Sequence, residues 1–138
     1  MNYRRYLHPG LALVAIGVSV PLALAAQTLP SREDNQGQVT VTVTPLTNSN
    51  AEGWRFDVQL NTHVAPLTQD MTAVSVLSDG RDHDEKPLSW QGDPPGGHHR
   101  KGVLTFKPFS SAPETLTLKI RQVGSVPERT FTWKLGAQ

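Results

Sequence analysis

From Val39 onward the chain alternates between apolar and polar residues with a period of two. Val39, Val41 and Val43 fall on one side and Thr40, Thr42 and Thr44 on the other. Pro45 ends this segment and suits an edge position, because proline has no amide hydrogen to donate to a ladder. The pattern is cleanest in Trp54, Phe56, Val58 and Leu60, which alternate with Arg55, Asp57, Gln59 and Asn61. Such alternation marks an antiparallel strand with one face in a core and the other in water. Weaker versions predict strands over Thr72–Ser78 (Val74 and Val76 inward), Lys86–Trp90 (Leu88 and Trp90), Gly102–Lys107 (Leu104 and Phe106), Thr115–Arg121 (Leu116, Leu118 and Ile120) and Arg129–Leu135 (Phe131, Trp133 and Leu135).

Turn residues separate these seven short strands, and no 3.6-residue repeat interrupts them. The expectation is a seven-stranded immunoglobulin- or fibronectin-III-like antiparallel sandwich over residues 39–136. A small closed β-barrel is the alternative, since alternation does not say whether a sheet closes. All three tryptophans fall on inward positions, which supports the register.

The sequence before Val39 reads differently. Arg4 and Arg5 precede the apolar run Leu11–Leu24, interrupted by Gly17 and Pro21, and Ala23, Ala25 and Ala26 follow. That is the layout of a signal peptide over residues 1–26, with an uncleaved anchor as the alternative. Residues 27–38, containing SREDNQGQ, lack apolar periodicity and predict a flexible linker. Once Arg4 and Arg5 leave with the leader, eleven of the thirteen cations face twelve acidic groups, a formal charge of −1. A near-neutral chain gives no electrostatic reason to expect nucleic acid as a partner. The mature portion contains no membrane span. Cysteine is absent, so stability in a periplasmic or secreted setting must come from packing.

In an antiparallel sandwich successive loops alternate between the two ends. Asn61–Met71, Gln91–Lys101 and Gln122–Glu128 should therefore share one pole. Thr47–Gly53, Asp79–Glu85 and Pro108–Glu114 should share the other. His63, His98 and His99 meet on this reasoning, with Asp70, Met71, Asp93, Arg100, Glu128 and Arg129 near them. The densest stretch is GDPPGGHHRKGVLTF, Gly92–Phe106, where Gly96 and Gly97 are candidates for positive φ. One reading makes this pole a brace, with the His63 ring capping loop backbone and Arg100 paired to Glu128 or Asp93. The other makes His63, His98, His99 and Met71 ligands for copper or zinc. Adjacent histidines on extended backbone point apart, so only one of His98 and His99 should join His63.

Other chemistry has less support. Ser89 and Ser110 lack a nucleophile-elbow context, and DGRDHDE (Asp79–Glu85) lacks calcium-loop spacing and predicts a solvated hairpin loop. The expectation is a non-catalytic extracytoplasmic domain that binds an unknown protein or small ligand, with a small periplasmic metal-binding protein as the alternative.

FDVQLNTH (Phe56–His63), KPLSW (Lys86–Trp90), PPGGHHRKGVLTF (Pro94–Phe106) and VPERTFTW (Val126–Trp133) together resemble a family of small exported bacterial and archaeal β-rich proteins. The resemblance spans Gly53 to Trp133. It implies an extracytoplasmic β-domain and carries no activity with it.

Overall fold

A β-sandwich forms when two amphipathic sheets bury their apolar faces against each other, and the period-two strands supply those faces. The structure, a computed structural model, describes residues 28–136. The signal-peptide reading lies outside the described residues. Nine strands occur among these residues: β1 (Arg32–Gln36), β2 (Val39–Pro45), β3 (Trp54–Thr62), β4 (Ser75–Ser78), β5 (Asp84–Glu85), β6 (Ser89–Gly92), β7 (His99–Phe106), β8 (Thr115–Val123) and β9 (Val126–Lys134). They form two antiparallel sheets, ordered β1-β2-β3-β7-β6 and β5-β4-β8-β9, and neither closes into a barrel. With β1 set aside, these orders match the immunoglobulin arrangement ABED against C′CFG.

The inward positions carry the core. Val39, Val41, Val43, Trp54, Phe56, Val58, Leu60, Leu104 and Phe106 come from one sheet. Leu77, Leu116, Leu118, Ile120, Phe131 and Trp133 come from the other. Phe56 bridges the layers, its ring centroid 5.5 Å from Trp133 and 5.9 Å from Phe106.

Four local expectations are corrected. The predicted linker contains β1, which pairs with β2 from Arg32↔Val43 to Gln36↔Val39. Its hairpin turns at Gly37 and Gln38, both with positive φ (54° and 59°), as a type I′ two-residue turn requires. β1 has no apolar inner face, and polar anchors hold it instead. The buried Arg129 guanidinium bonds the Asp34 carboxylate and the Gln36 carbonyl (2.7 Å), and the Trp133 indole N–H donates to the Pro30 carbonyl at 2.7 Å.

The predicted strand Thr72–Ser78 begins as a single helical turn, α1 (Met71–Val74). Asp70 caps it, its carboxylate accepting from the Thr72 amide at 2.9 Å and the Thr72 hydroxyl at 2.7 Å. That turn shifts the register, so Ser75 and Leu77 point inward rather than Val74 and Val76. The sixth strand starts at Ser89 rather than Lys86, leaving Leu88 65% exposed and Trp90 only partly buried. Asp79, expected in a solvated loop, is buried and accepts from the Arg81 amide (2.7 Å), the His83 amide (3.2 Å) and the His83 ring (3.0 Å).

Candidate functional site

The loop parity is realised. The Leu67 amide donates to the Gly97 carbonyl (2.8 Å), and the Gly96 amide donates back to the Leu67 carbonyl (2.7 Å). These bonds fasten the β3–α1 loop to the segment before β7. Gly96 and Gly97 have φ of 113° and 72°, the left-handed backbone expected of them. The Gln69 amide group donates to the Gln122 carbonyl at 3.0 Å, bringing in the third segment of the same pole. At the other pole Asn50 links to Phe109, and Arg81 pairs with Glu114 at 3.0 Å.

The brace of the histidine-bearing pole is an arginine. Arg100 faces inward opposite Leu60 and is 2% exposed. Its guanidinium donates to the main-chain carbonyls of Gln69 (2.7 Å), Leu67 (3.1 Å) and, more weakly, Asp93 (3.4 Å). It also lies 5.7 Å from the centre of the Trp90 ring. Burial pushes its pKa down, and the Asp93 and Asp70 carboxylates partly restore it. The expected partner Glu128 instead holds Arg121 at 2.9 Å, while the Asp93 carboxylate accepts from the Lys101 amide at 2.9 Å.

Close strand contact shapes the same region. A Cβ on Gly102 would sit 2.6 Å from the Trp90 ring and 2.8 Å from both the Gln91 carbonyl oxygen and Gly92 Cα. Glycine at this position lets Trp90 fold over the edge of the sandwich toward Arg100. The Trp90 indole N–H donates to the Asp93 carbonyl at 3.0 Å, which fixes the main chain where the Pro-Gly segment begins.

Loop capping at the end of β3 falls to Thr62 rather than His63. The Thr62 hydroxyl donates to the Gln38 carbonyl (2.9 Å) and accepts from the Val64 amide (3.3 Å). His63, His98 and His99 are all exposed. His99, directly opposite Asn61 in the β3–β7 ladder, joins His63, with ring centroids 6.0 Å apart and planes at 79°. The His99 Nδ1 lies 2.8 Å from the Asn61 Oδ1. His98 contributes its carbonyl to the ladder, accepting from the Thr62 amide at 2.9 Å. Met71 is 1% exposed in the core, so its thioether is separated in environment from the solvent-facing imidazoles. Among the described residues no three His, Asp or Glu side chains gather as a closed metal cage needs.

Around these rings the outer face of the larger sheet is polar, with two shallow hollows. A hollow of about 260 Å³ is lined by Gln59, Asn61, Asp93, His99, Arg100 and Lys101. A second, of about 370 Å³, lies beside Asn35, Thr40, Asn61 and His63. Asn61 borders both. A larger hollow of about 560 Å³ opens at the far pole, but its Arg81 and Glu114 are paired with each other. Comparison with known protein families, curated proteins and solved structures gives no match.

Proposed function

We propose that the chain is a non-catalytic binding domain working in the periplasm or outside the cell. It would engage a protein or small polar ligand through the outer face of the β1-β2-β3-β7-β6 sheet at its histidine-bearing pole. The observation supporting this is the division of labour at that pole. Buried Arg100 and Thr62 hold the loops, while Asn61, His63, His99, Gln59 and Lys101 line two adjoining hollows without being needed for the core. A preorganised polar surface keeps the entropy cost of binding low. The export reading rests on the leader-like Met1–Ala26 segment. No helix among the described residues is long and apolar enough to cross a membrane.

The test is site-specific photo-crosslinking in producing cells, with the reactive group placed at Gln59 or at Thr130. Gln59 lies on the proposed face, and Thr130 is an exposed residue of the opposite sheet. A discrete adduct from position 59 and none from 130 is expected, in the extracytoplasmic fraction. Equal adducts from both positions, or adducts from 130 alone, would refute the assignment.

A further inference from the structure

We propose that His63 and His99 form a two-imidazole site for a divalent late-transition ion, binding copper(II) more tightly than zinc(II). This inference stands apart from the partner-binding reading, because metal binding and crosslinking can each fail alone.

The geometry begins with the ladder. Asn61 and His99 are Cα partners across β3 and β7, and Thr62 lies between Asn61 and His63. His63 thus follows Asn61 by two positions, which returns it toward the same sheet face and within diagonal reach of His99. The 6.0 Å ring separation fits one shared ion. With a metal–nitrogen bond of about 2.0 Å, each imidazole centre stands about 3.2 Å from the metal, so two rings on one ion can lie about 5–6 Å apart.

Protonation is arranged as well. A carbonyl oxygen only accepts, so Asn61 Oδ1 at 2.8 Å requires the hydrogen of His99 on Nδ1. That leaves Nε2 with its lone pair. A ring N–H held by a carbonyl is the outer-shell arrangement that orients metal-binding histidines and raises their basicity.

The residue set also indicates which ion. Met71 is buried, so no soft sulfur is offered and a monovalent copper site of the thioether type is not built here. Two neutral imidazoles suit borderline divalent ions, and the ordinary affinity order places copper(II) above zinc(II). Water or a side chain of a bound partner would complete the coordination. Neither ring is needed to hold the pole, since Arg100, Thr62 and the Leu67–Gly97 backbone bonds do that.

The test is calorimetric titration of the purified protein with copper(II) and with zinc(II), alongside imidazole ¹⁵N NMR of the unaltered protein with zinc. One ion per chain is expected, with the His63 and His99 resonances shifting and those of His83 and His98 unmoved. His63→Ala and His99→Ala should each weaken binding by more than about tenfold, and Asn61→Ala by about tenfold or more. His98→Ala and His83→Ala should stay within about twofold of the parent. Absence of saturable binding would overturn the proposal, as would dependence on His98 instead of His63. Because the NMR arm uses the unaltered chain, a folding defect in any variant cannot mask the result.

Discussion

Replacing Arg100 with methionine tests whether a single buried cation holds the histidine-bearing pole. Methionine keeps much of the stem volume and removes the guanidinium. Two good charge-assisted bonds disappear, to Gln69 O at 2.7 Å and Leu67 O at 3.1 Å, together with a weak one to Asp93 O at 3.4 Å. Hydrogen bonds to charged groups contribute about 1.5–3 kcal/mol each, so the gross loss is about 3–6 kcal/mol. Two terms reduce it. The Leu67 carbonyl keeps the Gly96 amide as a partner, and the variant no longer buries a cation whose Nε has no hydrogen-bond partner. The contact with the Trp90 face, about 0.5–1 kcal/mol, is lost as well. The net expectation is a destabilisation of about 2–3 kcal/mol.

Urea denaturation reads the global term, and hydrogen exchange reads the local one. The amides of Leu67 and Gly96, which clasp the two loops, should lose protection beyond the global change, whereas β8 and β9 amides should follow the global change alone. Arg100→Lys should rescue only part of the loss: one ammonium on a shorter stem has to reach the Leu67 and Gln69 carbonyls that Nη1 holds, and the Nη2 contact to Asp93 is given up. A global loss below about 0.5 kcal/mol with Leu67 and Gly96 still protected would refute the bracing role.

Three further outcomes are expected. Trp54→Ala should cost about 3–5 kcal/mol in chemical denaturation, because the ring is fully buried and its indole N–H bonds Asn50 at 3.1 Å; a loss under about 1 kcal/mol would contradict that burial. Gly102→Ala should cost about 1–3 kcal/mol by overpacking, since its Cβ would meet Trp90 at 2.6 Å, and Trp90 fluorescence should report the displaced ring. For Asp79, burial raises the carboxyl pKa, but hydrogen bonds from the Arg81 amide and from the His83 ring and amide outweigh it, and the net shift is downward. A depressed carboxyl stabilises the fold above its ordinary value near 3.8, and this contribution fades as pH falls through the folded value. The Tm difference between parent and Asp79→Asn should therefore shrink below about pH 4; a constant difference would refute the linkage.

Much of the architecture was legible because most strands keep one face in water. Trp54–Leu60 and Leu116–Ile120 announce themselves through alternation, and their partners follow from it. β1 gave no such signal. Its inner side carries Asp34 and Gln36 rather than apolar residues, and it is held by an arginine 95 residues away in sequence from Asp34. The single turn of α1 was hidden because Thr72–Ser78 also alternates; the Asp70–Thr72 pair is the capping signal that could have exposed it. At the site, parity correctly placed His63 near His99, because strand direction alone decides which end a loop occupies. It could not say which polar residue would be buried. Arg100 and His99 are neighbours of similar polarity in sequence, and only the convergence of carbonyls from Leu67, Gln69 and Asp93 determines that the arginine turns inward.

That convergence has a counterpart in Arg129, which links Asp34, Gln36, Val39 and Val123 as Arg100 links Leu67, Gln69 and Asp93. Main-chain carbonyls in the loops, at strand ends and on the edge strand β1 need donors from outside the ladders, and a guanidinium supplies several in a fixed fork. Two arginines on different strands therefore fasten most of the segments meeting at this pole. Histidine, with one or two donors, is a poorer substitute for that task. The consequence is a separation of roles within a few ångströms. Inward cations determine whether the loops hold, and the imidazoles of His63 and His99 stay at the surface, where the proposed binding would use them. Changes at Arg100 or Arg129 should appear first as lost stability, whereas changes at His63, His99 or Asn61 should leave a protein that still folds and, on the metal binding proposed above, lower its affinity for copper(II).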